Sequence, residues 1–236
     1  MKAPTNVRNT LLMAFSQADM AAVAPALRRV QLPHDQVVLH PGDDVQSVYF
    51  PETAVLSVIT TMRDGRRIET ATIGFESAVG IVPALTGQPI FSQVVAQIPG
   101  EAVCLPASLL RSRAADSPAL MQLMLRFVHS NINQAEQSAA CNALHTVEAR
   151  LSRWLLMTSD RVQGDTINLT QEYLAVMAGV QRTTVTAVCT DLKNAGAIKY
   201  ARGRIQIVDR PALEKRACEC YAINRDNFMR LGAKAA

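Results

Sequence analysis

Residues 169–198 read LTQEYLAVMAGVQRTTVTAVCTDLKNAGAI. Thr170 is suited to cap a helix start, and Glu172 suits the positive end of that helix. Leu174, Ala175, Met177 and Ala178 continue as a short helix, and Gly179 supplies the turn residue. Val180 is expected as a buried plug between two helices. Ala175, four residues before Gly179, is small enough for those helices to cross closely. The second helix runs from about Gln181 to Asn194, with Val185, Val188 and Leu192 inward. Its first turn exposes Gln181, Arg182, Thr183 and Thr186. Such a helix presents its N-terminal residues to base edges in the major groove. Arg forks onto guanine, Gln pairs with adenine, and Thr offers a hydroxyl and a methyl. On spacing alone, an ordinary helical hairpin with solvated polar residues stays open as the alternative.

The residues that follow, AIKYARGRIQIV (197–208), form two alternating runs around Arg202-Gly203. They read as a hairpin wing with Lys199, Arg202 and Arg204 at or near its tip, where cations meet phosphates beside the groove. Charge agrees. Residues 1–146 carry 10 Lys and Arg against 11 Asp and Glu, whereas 147–236 carry 14 against 9. The basic part is the part expected to meet double-stranded DNA.

Upstream, Ser117-Pro118 signals a helix start. Met121, Leu125, Val128, Ile132, Ala135 and Ala139 then recur alternately four and three apart, a heptad seam expected to join two copies as a homodimer. Leu120, Leu123, Met124 and Phe127 widen the apolar face toward the chain's own core. Val147, Leu151, Trp154, Leu155 and Val162 mark a further amphipathic helix, with the boundary near His145.

Before residue 108 the pattern is β. The segments VQL, QVVLH, SVYFP, AVLSVITTM, RIETATI, SQVVAQI and EAVCLP are separated by turn chemistry such as Asp64-Gly65 and Pro99-Gly100. They imply a small β-roll or barrel, preceded by one leading helix from about Asn9 to Leu27.

Half of the 236 residues are hydrophobic (49%), which suits packed cores, yet no apolar run approaches a membrane span. The first fifteen residues show no signal-peptide pattern, so a cytoplasmic protein is expected. Cys104, Cys141, Cys189, Cys218 and Cys220 are odd in number and scattered, which argues against a disulfide framework. Cys218 and Cys220 lie closer than zinc-knuckle spacing with no second pair at zinc spacing, so the thiols read as unligated and no metal is expected. There is no phosphate loop, nucleophile elbow or His-Glu metal motif, so catalysis is not expected. Glu69 and Glu76 fall on a strand pattern without a partner base.

The order of these parts resembles the CRP/FNR family of bacterial transcription regulators over nearly the full chain. The resemblance is carried by ARLSRWLLMTSDR (149–161), by the stretch quoted first, and by IQIVDRPALE (205–214), in which Asp209 and Leu213 match the family's ending. It implies an α+β fold: an N-terminal β-roll of the cyclic-nucleotide-binding jelly-roll type (1–116), a long dimerisation helix (117–145) and a C-terminal winged helix-turn-helix (146–236). It further implies a pseudo-palindromic operator, with RNA polymerase as a partner if the dimer activates. The family's recognition helix usually opens with an Arg and a Glu, with a second Arg further on. Arg182 matches the first Arg, but Thr183 replaces the Glu and Ala187 stands at the second Arg, so the half-site should differ.

The resemblance also locates an effector pocket, in GFESAVGIVPALTGQPIFSQVVAQIPG (74–100). Gly80 is followed by Ile81 where the family's nucleotide readers place the ribose-binding Glu. Phe91 precedes Ser92 where they place the phosphate-binding Arg. Without that forked, charge-assisted pair, cAMP is disfavoured. No cysteine precedes Cys104, so the family's iron–sulfur site is disfavoured as well. His34, His40, His129 and His145 are isolated and set no haem pattern. Cys104 or Cys141 would serve as a redox thiol only if exposed. No cofactor is identified. The competing reading is a cyclic-nucleotide-binding interaction module without specific DNA function, which would need the nucleotide grip that this sequence lacks.

Overall fold

The structure is a computed structural model that describes residues 6–233. Residues 1–5, which open the segment read for a signal peptide, lie outside the described residues. Packing divides the chain into two compact units, one built on residues up to 59 together with 72–133, the other on 60–71 and 134–226.

The first unit begins with α1 (Thr10–Met13) and α2 (Gln17–Val23), not with the single helix expected from Asn9 to Leu27. Capping explains the split. Buried Asn9 accepts from Leu12 N at 3.0 Å and anchors itself to the carbonyls of Pro51 and Ser77. Ser16 Oγ then accepts from Asp19 N at 3.1 Å and starts a new helix. Pro25, which has no N–H, sits in the closing 3-10 turn.

Seven strands follow: β1 (Arg28–Leu32), β2 (Val37–Leu39), β3 (Ser47–Pro51), β4 (Val55–Thr61), β5 (Arg67–Ile73), β6 (Gln93–Ile98) and β7 (Gly100–Pro106). Each of the seven expected segments supplies one. They form two sheets, ordered β1-β7-β3 and β2-β6-β4-β5. Period-two alternation sets their inner faces. Across β3 and β7, Phe50 opposes Val103 and Val48 opposes Leu105, and all four are fully buried. Phe15 packs edge-on against Phe50, with ring centroids 6.2 Å apart. At the β4–β5 turn, Gly65 takes φ +83° and Met62 N donates to Arg66 O at 2.8 Å, as the Asp64-Gly65 pair foretells.

Helix α3 (Ile81–Thr86) lies between β5 and β6, and α4 (Ala107–Asp116) follows β7. Ser117 Oγ accepts from Leu120 N at 3.2 Å and opens the long α5 (Pro118–Leu144). On α5, Leu120, Leu123, Met124 and Phe127 are buried.

The second unit contains α6 (Val147–Val162), β8 (Thr166–Asn168), α7 (Gln171–Ala178), α8 (Arg182–Asn194), β9 (Ile198–Ala201), β10 (Arg204–Ile207), α9 (Arg210–Arg216) and, up to Asp226, the start of α10 (Cys220–Ala233). Its sheet order is β8-β10-β9. The wing expected as a two-stranded hairpin thus gains a third strand, with Ile167 opposite Ile205 and both fully buried. No helix among the described residues is long and apolar enough to cross a membrane.

Candidate DNA-binding interface

The interface is built on α6, whose buried face includes Leu151, Trp154, Leu155 and Met157. Thr170 Oγ1 accepts from Tyr173 N at 3.2 Å and caps α7. Gly179 closes α7 in the left-handed region (φ +63°), and a Cβ there would meet Ile68 Cδ1 at 2.9 Å. The left-handed backbone is what calls for glycine, since the end of the Ile68 side chain could shift. Val180 is only half-buried, not the buried plug expected. Leu174, Met177 and Ala178 on α7, with Val185, Val188, Cys189 and Leu192 on α8, supply the buried contact instead. Burial pushes the Cys189 thiol up to about 11, so it stays protonated on the inner face of α8.

The four residues expected to read DNA on α8 are all exposed. Gln181 is the N-cap residue by backbone conformation, but its side chain makes no capping hydrogen bond. Arg182 opens the helix, its side chain without a partner among the described residues, and Thr183 follows it. Thr186 is exposed too, but its hydroxyl is engaged: Oγ1 donates to Gln171 Oε1 at 2.8 Å and lies 3.0 Å from Arg182 O. That bond ties α8 to the first residue of α7, and leaves the Thr186 methyl as its free group.

Helix α8 ends in a Schellman motif. Ala197 N donates to Leu192 O at 3.0 Å and Gly196 N to Lys193 O at 3.0 Å, with Gly196 at φ +74°. The motif delivers the chain directly into the wing. Arg202 (φ +49°) and Gly203 (φ +74°) both sit left-handed at the tip, the signature of a tight type I′ hairpin. Lys199 pairs with Gln206 in register and Arg204 with Ala201. Lys199, Arg202 and Arg204 are exposed and, like Arg182, have no partner among the described residues. Other cations of this unit are spent internally: Arg210 pairs with Asp160 and Glu214, and Arg216 with Glu148. Cations without a partner among the described residues therefore include those on the first turn of α8 and on the wing.

Along α5, Met121 and Val128 are half-buried, while Leu125 (56% exposed), Ile132 (51% exposed), Ala135 and Ala139 are open. The seam residues thus lie off the buried face of Leu120, Leu123, Met124 and Phe127.

The four expected pocket residues differ in burial. Gly80 takes φ +89° ahead of α3, and Ile81 is buried in the core at 1% exposure. Phe91 points outward, 82% exposed, and Ser92 is half-buried. Nothing among these four supplies a carboxylate for a ribose or a guanidinium for a phosphate. Cys104 is half-buried on β7, where burial raises its thiol.

Residues 149–216 match the family model of the Crp-like helix-turn-helix domain, and residues 29–116 match that of the cyclic nucleotide-binding domain. The Global nitrogen regulator of Synechococcus elongatus is 25% identical over 217 residues, spanning 88% of this chain and 96% of that protein. The structure of FixK2 from Bradyrhizobium japonicum superposes with a TM-score of 0.71 at 16% identity, covering 81% of this chain and 98% of that one. A CRP/FNR-family transcriptional regulator from Thermus thermophilus superposes with a TM-score of 0.68 at 20% identity, covering 80% and 98%. These structural likenesses are likenesses of fold.

Proposed function

Because the chain belongs to the CRP/FNR family and is a DNA-binding transcription regulator, we propose that two copies join along α5 and read a pseudo-palindromic operator. In this reading residues 1–116 are the sensor-like roll, 117–145 the dimerisation helix and 146–236 the DNA-binding domain. Each α8 enters a major groove, Arg182 and Gln181 meet base edges, and Thr183 and the Thr186 methyl complete the contact. Lys199, Arg202 and Arg204 hold the flanking phosphates. Two-fold symmetry places the half-sites about one helical turn apart, roughly 34–36 Å.

The observation that carries this reading is the placement of unpartnered cations on one helix start and its wing, in a unit whose other arginines include several locked in ion pairs. The exposed seam around Leu125 and Ile132 supports the dimer. An effector of unidentified chemistry modulates binding through the roll, as a population shift between two arrangements. It is not cAMP, since Ile81 and Phe91 stand where the ionic grip would be. The dimer works in the cytoplasm, and meets RNA polymerase if it activates.

The test is selection of bound fragments from genomic DNA by the full chain, without added ligand, at near-physiological salt. Recovery of one pseudo-palindromic motif, lost with Arg182→Ala, supports the reading. Recovery of random, salt-sensitive fragments alone overturns sequence-specific binding by the ligand-free dimer.

A further inference from the structure

The last turn of α5 carries Cys141; His145 follows directly after the helix, its N donating to Cys141 O at 3.1 Å, so i,i+4 spacing keeps both on one side. Cys218 lies in the turn after α9, and Cys220 opens α10. These four side chains meet, and their ligand atoms all lie within 4.8 Å of one another. Cys141 Sγ is 3.5 Å from Cys218 Sγ, and Cys220 Sγ is 3.6 Å from His145 Nδ1. We propose that Cys141, His145, Cys218 and Cys220 form a tetrahedral site for a single zinc ion, which clamps the joint between α5 and α6.

Three arguments converge on zinc. The first is size. Zinc bonds of about 2.3 Å to sulfur and about 2.0–2.1 Å to nitrogen give tetrahedral edges of roughly 3.8 Å between sulfurs and roughly 3.6 Å between sulfur and nitrogen. The observed separations of 3.5 and 3.6 Å match those edges closely. An iron–sulfur cluster would spread its cysteines further apart. The second is donor chemistry, since three thiolates and one imidazole make a closed structural zinc set. The third lies around the ligands. His145 Nε2 is 3.2 Å from the Glu219 carboxylate, which fixes the tautomer that leaves Nδ1 free to bind metal. Gln137 Nε2 donates to Cys220 Sγ at 2.9 Å, and Arg153 lies close enough to act electrostatically on Cys141. Both favour thiolate over thiol.

The three sulfurs are buried, while His145 is half-exposed and offers an entry path. On binding, each thiol gives its proton to solvent as its S–Zn bond forms. One redox-inert ion then joins residues on either side of the chain's joint, where His145 stands immediately before Thr146, the N-cap of α6. The site involves none of the proposed DNA-contacting residues, so its failure would leave the DNA reading untouched.

The experiment uses the reduced full chain, stripped with a chelator and titrated with zinc alone, with cobalt as a spectroscopic stand-in. The expected result is one ion per chain, the visible absorption of tetrahedral cobalt–thiolate, protection of Cys141 and Cys218 from alkylation, and a rise in Tm of the unaltered protein. Cys141→Ser and Cys218→Ser should each abolish stoichiometric uptake, while Cys104→Ser keeps it. No uptake by the unaltered reduced chain overturns the site. So does uptake that persists in both serine variants, or that leaves Cys141 and Cys218 open to alkylation. Ready closure of a Cys141–Cys218 disulfide in a chain that takes up no zinc would identify the cluster as a thiol pair instead.

Discussion

The indole Nε1 of Trp154 donates to the Glu69 carboxylate at 2.6 Å, which ties the scaffold helix α6 to the β4–β5 arm. Glu69 is therefore a structural acceptor, not an acid waiting for a catalytic partner. Both residues are buried. Trp154→Phe keeps most of the apolar area and removes the donor while the carboxylate stays buried. The expected loss is about 1–3 kcal/mol, read as a lower urea midpoint. The pair with Glu69→Gln should lose less than the sum of the two single changes. Full additivity would show that the bond contributes nothing.

Arg182 and Thr186 look alike as exposed polar residues on one helix turn, but the structure separates them. Arg182→Ala should cost about 1–3 kcal/mol per half-site and relax sequence preference at one base position. Thr186→Val removes a hydroxyl that is engaged with Gln171. It should lower stability by roughly 0.5–1.5 kcal/mol and change operator affinity less than Arg182→Ala does. Titrations on the selected operator and its single-base variants check both. Equal affinity losses for the two variants would assign the Thr186 hydroxyl to DNA.

Lys199, Arg202 and Arg204 sit on a tight hairpin beside α8, so each should act on phosphate and not on base identity. Removing one, as in Arg204→Ala, should weaken all sites alike and lower the magnitude of the slope of log affinity against log salt by about 1. A loss confined to particular sequences would move that cation into the groove.

The sequence foreshadows the β-strands because a half-buried sheet imposes strict alternation, as Val48 and Phe50 show against Tyr49. It foreshadows α7, α8 and the wing because Gly179 and Arg202-Gly203 occupy backbone conformations that few residue pairs supply. The leading helix was harder to read. Asn9 and Ser16 each start a helix, but their cap bonds depend on packing that periodicity does not display. Strand β8, three residues long, is too short to alternate. The pocket residues Ile81 and Phe91 could be placed in the chain but not in space. The cysteine–histidine cluster was hidden for a different reason: Cys141 and Cys218 are 77 residues apart, and only the fold joins them.

The α5 seam makes a prediction in which chain stability and assembly come apart. Leu125 and Ile132 are exposed in a single copy, so Leu125→Asp should leave the fold of each copy intact. In a dimer that buries the seam, each leucine contributes about 1.5–3 kcal/mol and symmetry counts it twice, so the dimer Kd should rise by at least about 100-fold. Sedimentation of the variant at graded concentrations checks this. An unchanged dimer would place the interface elsewhere.

Asp19 gives the first unit an acid-sensitive anchor. It is 2% exposed, yet it accepts from Ser16 Oγ at 2.6 Å, Arg113 Nη2 at 2.9 Å and Ser117 Oγ at 3.1 Å, which joins α2 to α4 and to the start of α5. Burial acts to raise its pKa, but the hydrogen bonds and the Arg113 charge outweigh it, and the carboxyl ends below its ordinary value. A depressed folded-state pKa means that the unfolded chain takes up the proton first as pH falls. The stabilisation is therefore complete above the ordinary carboxylate value, and it drains away as pH drops from there through the lower, folded-state value. Asp19→Asn cannot titrate and should lose this contribution at neutrality. Its urea midpoint should then fall less steeply with acid than that of the unaltered chain, so the two profiles converge at low pH. Parallel profiles would mean that the acid sensitivity of the fold lies in other carboxylates.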